Sequence, residues 1–394
     1  MNLLTVGRAL PIRTVSNAKG EFRFLTTASG EYSLRVELKG YFTADYAVAL
    51  KPRQTLQVRV ELVPRKGPEE EVEVVATYGR LDPGQTETSQ MLTHRSLQAL
   101  PANLTRDIPT LAENFVPGAV AGHDNFIHLR GNELSLHEFI NGVSFLDNSH
   151  PHFTAGISPQ IFEAANFVTG GFPAEFGNRF GGILDITTRS ATTLTGHGSF
   201  RVGAGTALNH DVALEYGASR GRLGYYGFLS GSESGRFLNP PTSHEIHDLG
   251  KGLKGTFQID YRGDRDSLKL FFNGGGNNFE LPNTVQEAEV QRDAFRRIRS
   301  QTAILTWQHT LSPDSTVTTS FYQRVVSDRL LGTTDPLTPL GEGSRSTLTV
   351  GAKSDLVLSR AGHIVKAGLD FSLFRLRESF FFAPRESALE AVGS

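Results

Sequence analysis

Four stretches of the sequence bring together residue types that could do chemistry. The first, FVTGGFPAEFGNRFGGILDITTRS at 167–190, has a glycine-rich loop of the kind that cradles phosphate, with Gly170, Gly171, Gly177, Gly181 and Gly182. Phosphate loops continue with a Lys-Ser or Lys-Thr pair and open a helix, whereas Gly182 runs into the apolar strand pattern ILDITT, so nucleotide binding is set aside. The second is a polar cluster, Asn141, Asp147, Asn148, His150 and His152, which offers oxygen and imidazole ligands. It lacks helical His spacing and a fixed carboxylate partner, so a solvated loop explains it better than a metal site. HEIHD at 244–248 lacks the His-x3-His spacing of zinc proteases. GSESG at 231–235 has Glu233 where a nucleophile elbow needs its serine, and Ser234 is out of register. There are no cysteines, which removes disulfides, thiolate metal sites and thiol nucleophiles. No catalytic, cofactor-binding or metal-binding residue is assigned, and the chain is read as not an enzyme.

The glycines of 167–190 have a backbone role instead. They allow a tight reversal between 165–169 and 183–188, both apolar-rich, which are predicted to pair in one small sheet. Hydrophobic residues make up only 38% of the chain and glycine contributes 41 residues, a composition suited to strands that are apolar on one face. Basic and acidic residues number 39 and 41, so no field favours nucleic acid. No run of about 18 apolar residues suggests a transmembrane helix. The start, MNLLTVGRALPIRTV, has an apolar run broken by Gly7 and Arg8 and is not a signal peptide; an exported protein is expected to begin further upstream.

Residues 1–64 alternate at Phe22 and Phe24, at Tyr32, Leu34, Val36 and Leu38, and at Leu56, Val58, Val60 and Leu62, predicting an antiparallel β-sandwich. RKGPEEE opens a linker over 65–84, and EVEVVA at Glu71, Val72, Glu73, Val74, Val75 and Ala76 follows as an isolated strand-former. Residues 85–190 are predicted to hold a helix near 107–114 and strands near 126–129 and 136–140. From 191 to 394 nine long strands are predicted, at 197–205, 211–218, 222–231, 251–261, 267–273, 299–310, 315–327, 345–358 and 363–377. SRG, RGDRD, LSPD and SRAG join them tightly on one side, and long polar joins at 232–250, 274–298 and 328–344 lie on the other. Outer-membrane barrels are built this way. Val317, Thr319, Phe321, Gln323 and Val325 alternate with Thr316, Thr318, Ser320, Tyr322 and Arg324, giving one face to lipid and one to a polar lumen.

Three segments, in order, resemble the plug domain of TonB-dependent outer-membrane receptors: LPANLTRDIPTLAENFVPGAV; Arg130-Gly131 followed by an apolar strand and Asn141-Gly142 in place of Asp-Gly; and Gly170, Gly171, Glu175, Phe176-Gly177 and Gly181-Gly182. AKGEFRF with GEYSLRVELKGY resembles the carboxypeptidase regulatory-like module, a carbohydrate-binding-like, prealbumin-type fold without peptidase activity. That module normally has one or two strands before this point, and here they are expected to be absent or degraded. The resemblance implies a mainly β chain: a module at 1–64, a linker at 65–84 with 71–76 as the TonB box, a small α/β plug at 85–190, and an incomplete outer-membrane barrel at 191–394. It implies an outer membrane of the Gram-negative type with the amino-terminal modules periplasmic, and an extracellular ligand imported with energy relayed by TonB. The alternative is a non-transporting surface or periplasmic binding protein for carbohydrate or protein. Siderophore, cobalamin, glycan and peptide receptors share these motifs, so the ligand is left unnamed.

The family's barrel has twenty-two strands, and nine cannot close around a plug, so the chain is expected to be a piece of a longer receptor. The first and last strands are therefore expected to keep open edges. The outward band should include Phe200, Phe257, Phe321 and Phe371, and Arg130 should be buried or half-buried against plug carbonyls or carboxylates, Glu175 among them.

Overall fold

The computed structural model describes residues 2–5, 12–14, 16–17, 20–24, 30–36, 38, 41, 44–50, 55–62, 88–100, 107–121, 127–130, 136–145, 156–172, 176–177, 181–194, 196–238, 240–243, 246–289, 293–312, 315–332, 340–360 and 363–383. The amino-terminal unit is a sheet of β1 (Asn2–Thr5), β2 (Ile12–Arg13), β3 (Gly30–Val36) and β4 (Ala44–Leu50) in the order β2-β1-β3-β4. Two strands thus precede Phe22, where none or only remnants were expected. The stretches 21–24 and 55–62 are not ladder strands; they lie over the sheet, and Phe22, Phe24, Val58, Val60 and Leu62 pack on buried Tyr32, Leu34, Val36 and Val48. Period-two alternation marks a covered sheet face, and a segment lying across that face alternates as a paired strand does.

The next unit contains β5 (Thr88–Thr93), α1 (His94–Gln98), α2 (Ile108–Phe115), β6 (Ala119–Ala121), β7 (Ile127–Leu129), β8 (Leu136–Ile140), β9 (Val143–Ser144), β10 (Phe162–Gly170) and β11 (Gly182–Thr188). Five of these strands form a mixed sheet in the order β5-β10-β11-β8-β9, in which β11 runs parallel to β8. The predicted pairing of 165–169 with 183–188 is present, with Ala165 opposite Ile186 and Phe167 opposite Leu184, and Gly171 and Gly181 make the reversal at positive φ. The side chain of Asp107 caps α2 by accepting from the Thr110 amide, 2.8 Å away. The short helix α1, absent from the expected elements, is capped by a Thr93–Ser96 capping box. Buried Leu111, Ala112, Leu129, Phe162, Phe167, Leu184 and Ile186 make the core.

The rest is one antiparallel meander of nine strands, each bonded to its sequence neighbours: β12 (His197–Ala204), β13 (His210–Arg220), β14 (Leu223–Ser234), β15 (Gly250–Arg262), β16 (Asp266–Glu280), β17 (Phe295–Ser312), β18 (Ser315–Leu331), β19 (Leu340–Arg360) and β20 (His363–Ala383). Among the described residues β12 and β20 each have a single neighbour. The strands reach 21 residues, past the predicted ends on the long-loop side, so the joins there shrink to 235–249, 281–294 and 332–339. Beyond the bilayer a ladder needs no apolar face, and cross-strand pairs such as Arg296–Asp328 and Arg345–Glu378 carry it into water. One face is apolar and unpacked, with Phe200, Phe257, Phe321 and Phe371 at 69%, 46%, 58% and 64% exposure. Trp307, Tyr261, Tyr225 and Tyr216 lie on the same face toward the tight-turn ends, the placement of an interfacial aromatic girdle.

The plug core tolerates little added volume at Gly182. A Cβ there would lie 2.6 Å from Cδ2 of Leu129, itself fully buried, and 3.4 Å from the Val168 carbonyl. Gly182→Val is expected to destabilise this sheet by about 1–3 kcal/mol, seen as lost hydrogen-exchange protection in β10 and β11 while the long meander keeps its own.

Candidate functional site

The inward face of the meander is polar. Thr256, Gln258 and Asp260 on β15, Lys269 and Asn273 on β16, Thr302 and Thr306 on β17, and Ser320 and Arg324 on β18 are all buried, because the five-stranded unit fills the concave side. Its own core continues across the seam into Ala213, Tyr226, Phe228, Phe271, Ile304 and Tyr322 of the wall.

Two of the motifs singled out in the sequence sit on this seam. Asn141 and Gly142 form the turn between β8 and β9, both at positive φ, as the Asn-Gly pair predicts. Asn141 is 3% exposed; its Oδ1 accepts from the Thr188 amide at 3.0 Å, and the Gly142 carbonyl accepts from Lys353 Nζ of β19 at 2.9 Å. A neutral Asn suits the position, because a carboxylate this deep would need a cation of its own. The second motif is the exit from β11. The Arg189 carbonyl accepts from Gln258 Nε2 at 2.6 Å, and the Ala191 amide and Ser190 hydroxyl donate to Asp260 Oδ2 at 2.7 and 3.2 Å. Lys269 Nζ donates to Thr188 Oγ1 at 3.2 Å, and Lys269 stands directly opposite Asp260 in the ladder. The Arg189 guanidinium pairs with Glu215 at 3.1 Å and stacks 5.5 Å over Tyr226, whose hydroxyl donates to the same carboxylate at 2.8 Å. Gly224 lets the chain pass: a Cβ there would overlap the backbone of Ala191 and Thr192.

Several predicted site residues are placed otherwise. Arg130 is exposed, at φ 53°, and its guanidinium has no partner among the described residues; its amide bonds the Gly118 carbonyl at 2.8 Å. The expectation of a buried Arg130 is corrected: the left-handed turn after β7 aims it into solvent. Gly170 and Gly182 end and begin strands, while Phe176 packs on Phe139 with ring centroids 5.0 Å apart. Gly177 is exposed. Gly131, Glu175 and the segment 71–76 lie outside the described residues, as do Asp147, Asn148, His150, His152 and His244. No cluster of three metal-ligating side chains occurs among the described residues. Gln258, Asp260 and Lys269 belong to none of the sequence motifs. Their signal was parity: in LKLFF, Leu268, Leu270 and Phe272 face out, so Lys269 must face in.

A nine-stranded open wall with a lipid-suited outer face, its inner side occupied by a small mixed sheet, is part of a plugged outer-membrane barrel in class. No family model matches the chain. A curated relative, the TonB-dependent transporter Oar of Myxococcus xanthus, is 31% identical over 190 residues, covering 45% of this chain and 17% of that protein. Solved structures agree in fold: the ferric-catecholate import receptor Fiu of E. coli (TM-score 0.60, 13% identity, 74% of this chain and 50% of that one), the copper transporter OprC (0.59, 13%, 76% and 49%), and the P. aeruginosa pyoverdine-bound FpvA (0.59, 10%, 75% and 43%). The fold is that of the TonB-dependent outer-membrane receptors, and the chain is an outer-membrane protein. It spans half or less of the length of each of these relatives. They are transporters and receptors, in line with the non-enzyme reading.

Two outcomes follow from the seam. Lys269→Met should leave Asp260 buried without its facing cation and weaken plug docking by about 3–5 kcal/mol, and adding Asp260→Asn should restore part of that loss. Strictly additive effects, read by hydrogen exchange at 188–191, would show that the two do not cooperate. His94, on α1, donates from Nδ1 to the Phe162 carbonyl at 2.9 Å with that tautomer. Burial first, then Arg189 and Arg35, lower its pKa from 6.5 to about 3 against the opposing Phe162 bond. The unfolded chain therefore binds the proton more readily between those values, so the stability from neutral His94 is complete above about pH 6.5 and is lost as pH falls toward 3. Protection of the plug amides should decline on acidification across that window, and His94→Gln should flatten the dependence.

Proposed function

We propose that the protein is part of an active importer in which 85–190 plugs a barrel contributed in part by 191–394, and 1–64 is a periplasmic carboxypeptidase regulatory-like module joined through the linker 65–84. The observation that carries this reading is the chemistry of the seam. Beside the apolar contacts, the plug is held along Thr188–Ala191 and Asn141–Gly142 by hydrogen bonds and by the Arg189–Glu215 ion pair, and water can replace these as the plug shifts. A cavity of about 230 Å³ between α1 and the wall, lined by His94, Gln98, Gln160, Arg201 and Glu215 among others, leaves the seam incompletely packed on the β12 side.

An extracellular ligand would bind the long-loop end and the plug apex. TonB would add a strand to Glu71–Ala76 and pull, and the plug would rearrange to open a path. The named cargoes of the structural neighbours, ferric catecholates, copper and pyoverdine, support small metal complexes as one ligand class. The appended module supports glycans or polypeptides by analogy alone. The relatives' transport function weighs against the binding-protein alternative.

The chain contains no cysteine, so a thiol placed at any of positions 71–76 is its only one. Val74→Cys should form a disulfide with cysteine-substituted TonB in intact cells. Adding Val72→Pro should abolish it by removing a backbone donor from the added strand. If no position from 71 to 76 gives a crosslink to TonB, the coupling assignment fails.

A further inference from the structure

Strand β3 of the amino-terminal sheet is engaged on both faces. Tyr32, Leu34 and Val36 point into the module's own core, so by strand parity Ser33 and Arg35 face the other way. Ser33 is nevertheless buried and the Arg35 side chain largely so, whereas Ala47, directly opposite Ser33 on β4, is exposed. Beyond that side of β3 lies the plug, where Arg35 Nη1 stands 2.6 Å from Glu163 Oε1. Glu163 is buried at the start of β10 and lies within electrostatic reach of Lys269 on the wall, while the Arg35 charge also reaches His94 on α1. The module therefore docks at the point where plug and wall exchange charge.

The same strand receives the chain on its way back from the module. β5, the edge strand of the plug sheet, pairs with β10 from Thr88 opposite Gly170 to Thr93 opposite Ala164, next to Glu163. The stretch 63–87 thus connects two anchors on β10, the docked module and β5. Val74 lies 12 residues beyond Leu62 and 14 before Thr88, so the two arms have nearly the same reach and a pull at 71–76 loads both anchors.

We propose that the amino-terminal module is a clasp on the plug, its Arg35 pinning Glu163, and that a pull at 71–76 undocks the module before β5 can peel from β10. The order follows from what each anchor must give up. Undocking opens both members of the ion pair to water together, so neither is left buried and unpaired. Peeling β5 breaks a six-residue strand out of its ladder and takes Leu92 out of the core. While docked, the module holds β10 against local opening. The inference rests on the coupling role proposed for 71–76, and its tests read the clasp without TonB.

The chain has no cysteine, so Val74→Cys supplies one thiol by which the intact receptor in a lipid bilayer can be pulled in single-molecule force spectroscopy. With Arg35 in place two rupture events are expected, the module first and the plug second. Arg35→Gln should lose the first and keep the second, which shows that the plug is folded, and Arg35→Lys, which keeps the charge, should keep both. A single event with Arg35 in place, or a first event that Arg35→Gln leaves unchanged, would overturn the clasp. Hydrogen exchange reads it a second way: Arg35→Gln should speed exchange in β5 and β10 by about tenfold or more while β12–β20 keep their protection, and unchanged rates in β5 and β10 would overturn it as well. Two rupture events together with no crosslink from 71–76 to TonB would leave the clasp standing and remove only its engagement by TonB.

Discussion

The structure depends on one constraint, that a strand with one face in lipid must turn its polar residues to the other face, and those residues must then find partners. Asp260 and Lys269 are 0% and 1% exposed, beside Gln258 at 1%. An empty wall would leave them to water, and an apolar plug would strand them at a cost of several kcal/mol per charge. The plug meets them instead with main-chain groups at 188–191, where β11 has ended and its amides and carbonyls are no longer taken up by its own sheet. The end of one sheet thus supplies what the face of the other requires.

The same division orders the plug. β10 and β11 are buried along almost their whole length because they sit at the centre of a small sheet packed on α2 and β7 on one side and on the wall beyond. Strands buried on both faces need an edge to leave by. Gly171 and Gly181 turn one end through positive φ, and the other passes under Gly224, where the missing side chain leaves room for Ala191 and Thr192. Glycine therefore acts both within the plug and at its attachment to the wall.

Most of the wall was legible in the sequence because tight turns fix both register and adjacency. SRG, RGDRD, LSPD and SRAG each mark a hairpin, and strand positions near them agree to within about three residues, as for 222–231 against Leu223–Ser234. The far ends were less legible: β20 continues to Ala383 where alternation suggested 377, because pairing outlasts the apolar pattern once the strand leaves the bilayer. Asn141-Gly142 was readable as a turn, but its lysine partner is 211 residues away in sequence, a separation local pattern does not encode. Arg130 shows the converse: Arg-Gly identifies the segment, while the φ that turns its side chain outward depends on the fold around it.

The amino-terminal module adds a connection that neither sheet explains alone. Arg35 of β3 and Glu163 of β10 approach to 2.6 Å with side chains 13% and 5% exposed. A buried ion pair is weak evidence for stability, since desolvation offsets most of the attraction, but breaking one leaves an uncompensated charge. Its effect is to fix position. Arg35 sits on the strand whose alternate residues Tyr32, Leu34 and Val36 form the module's core, and Glu163 sits one residue into β10, next to the plug's central strand β11. The positive charge of Arg35 also helps keep His94 neutral beneath it. Movement of β10 relative to the wall must therefore either carry the module along or expose Glu163, and that links the amino-terminal module to the same strand whose neighbour, β11, is held by Asp260 and Lys269.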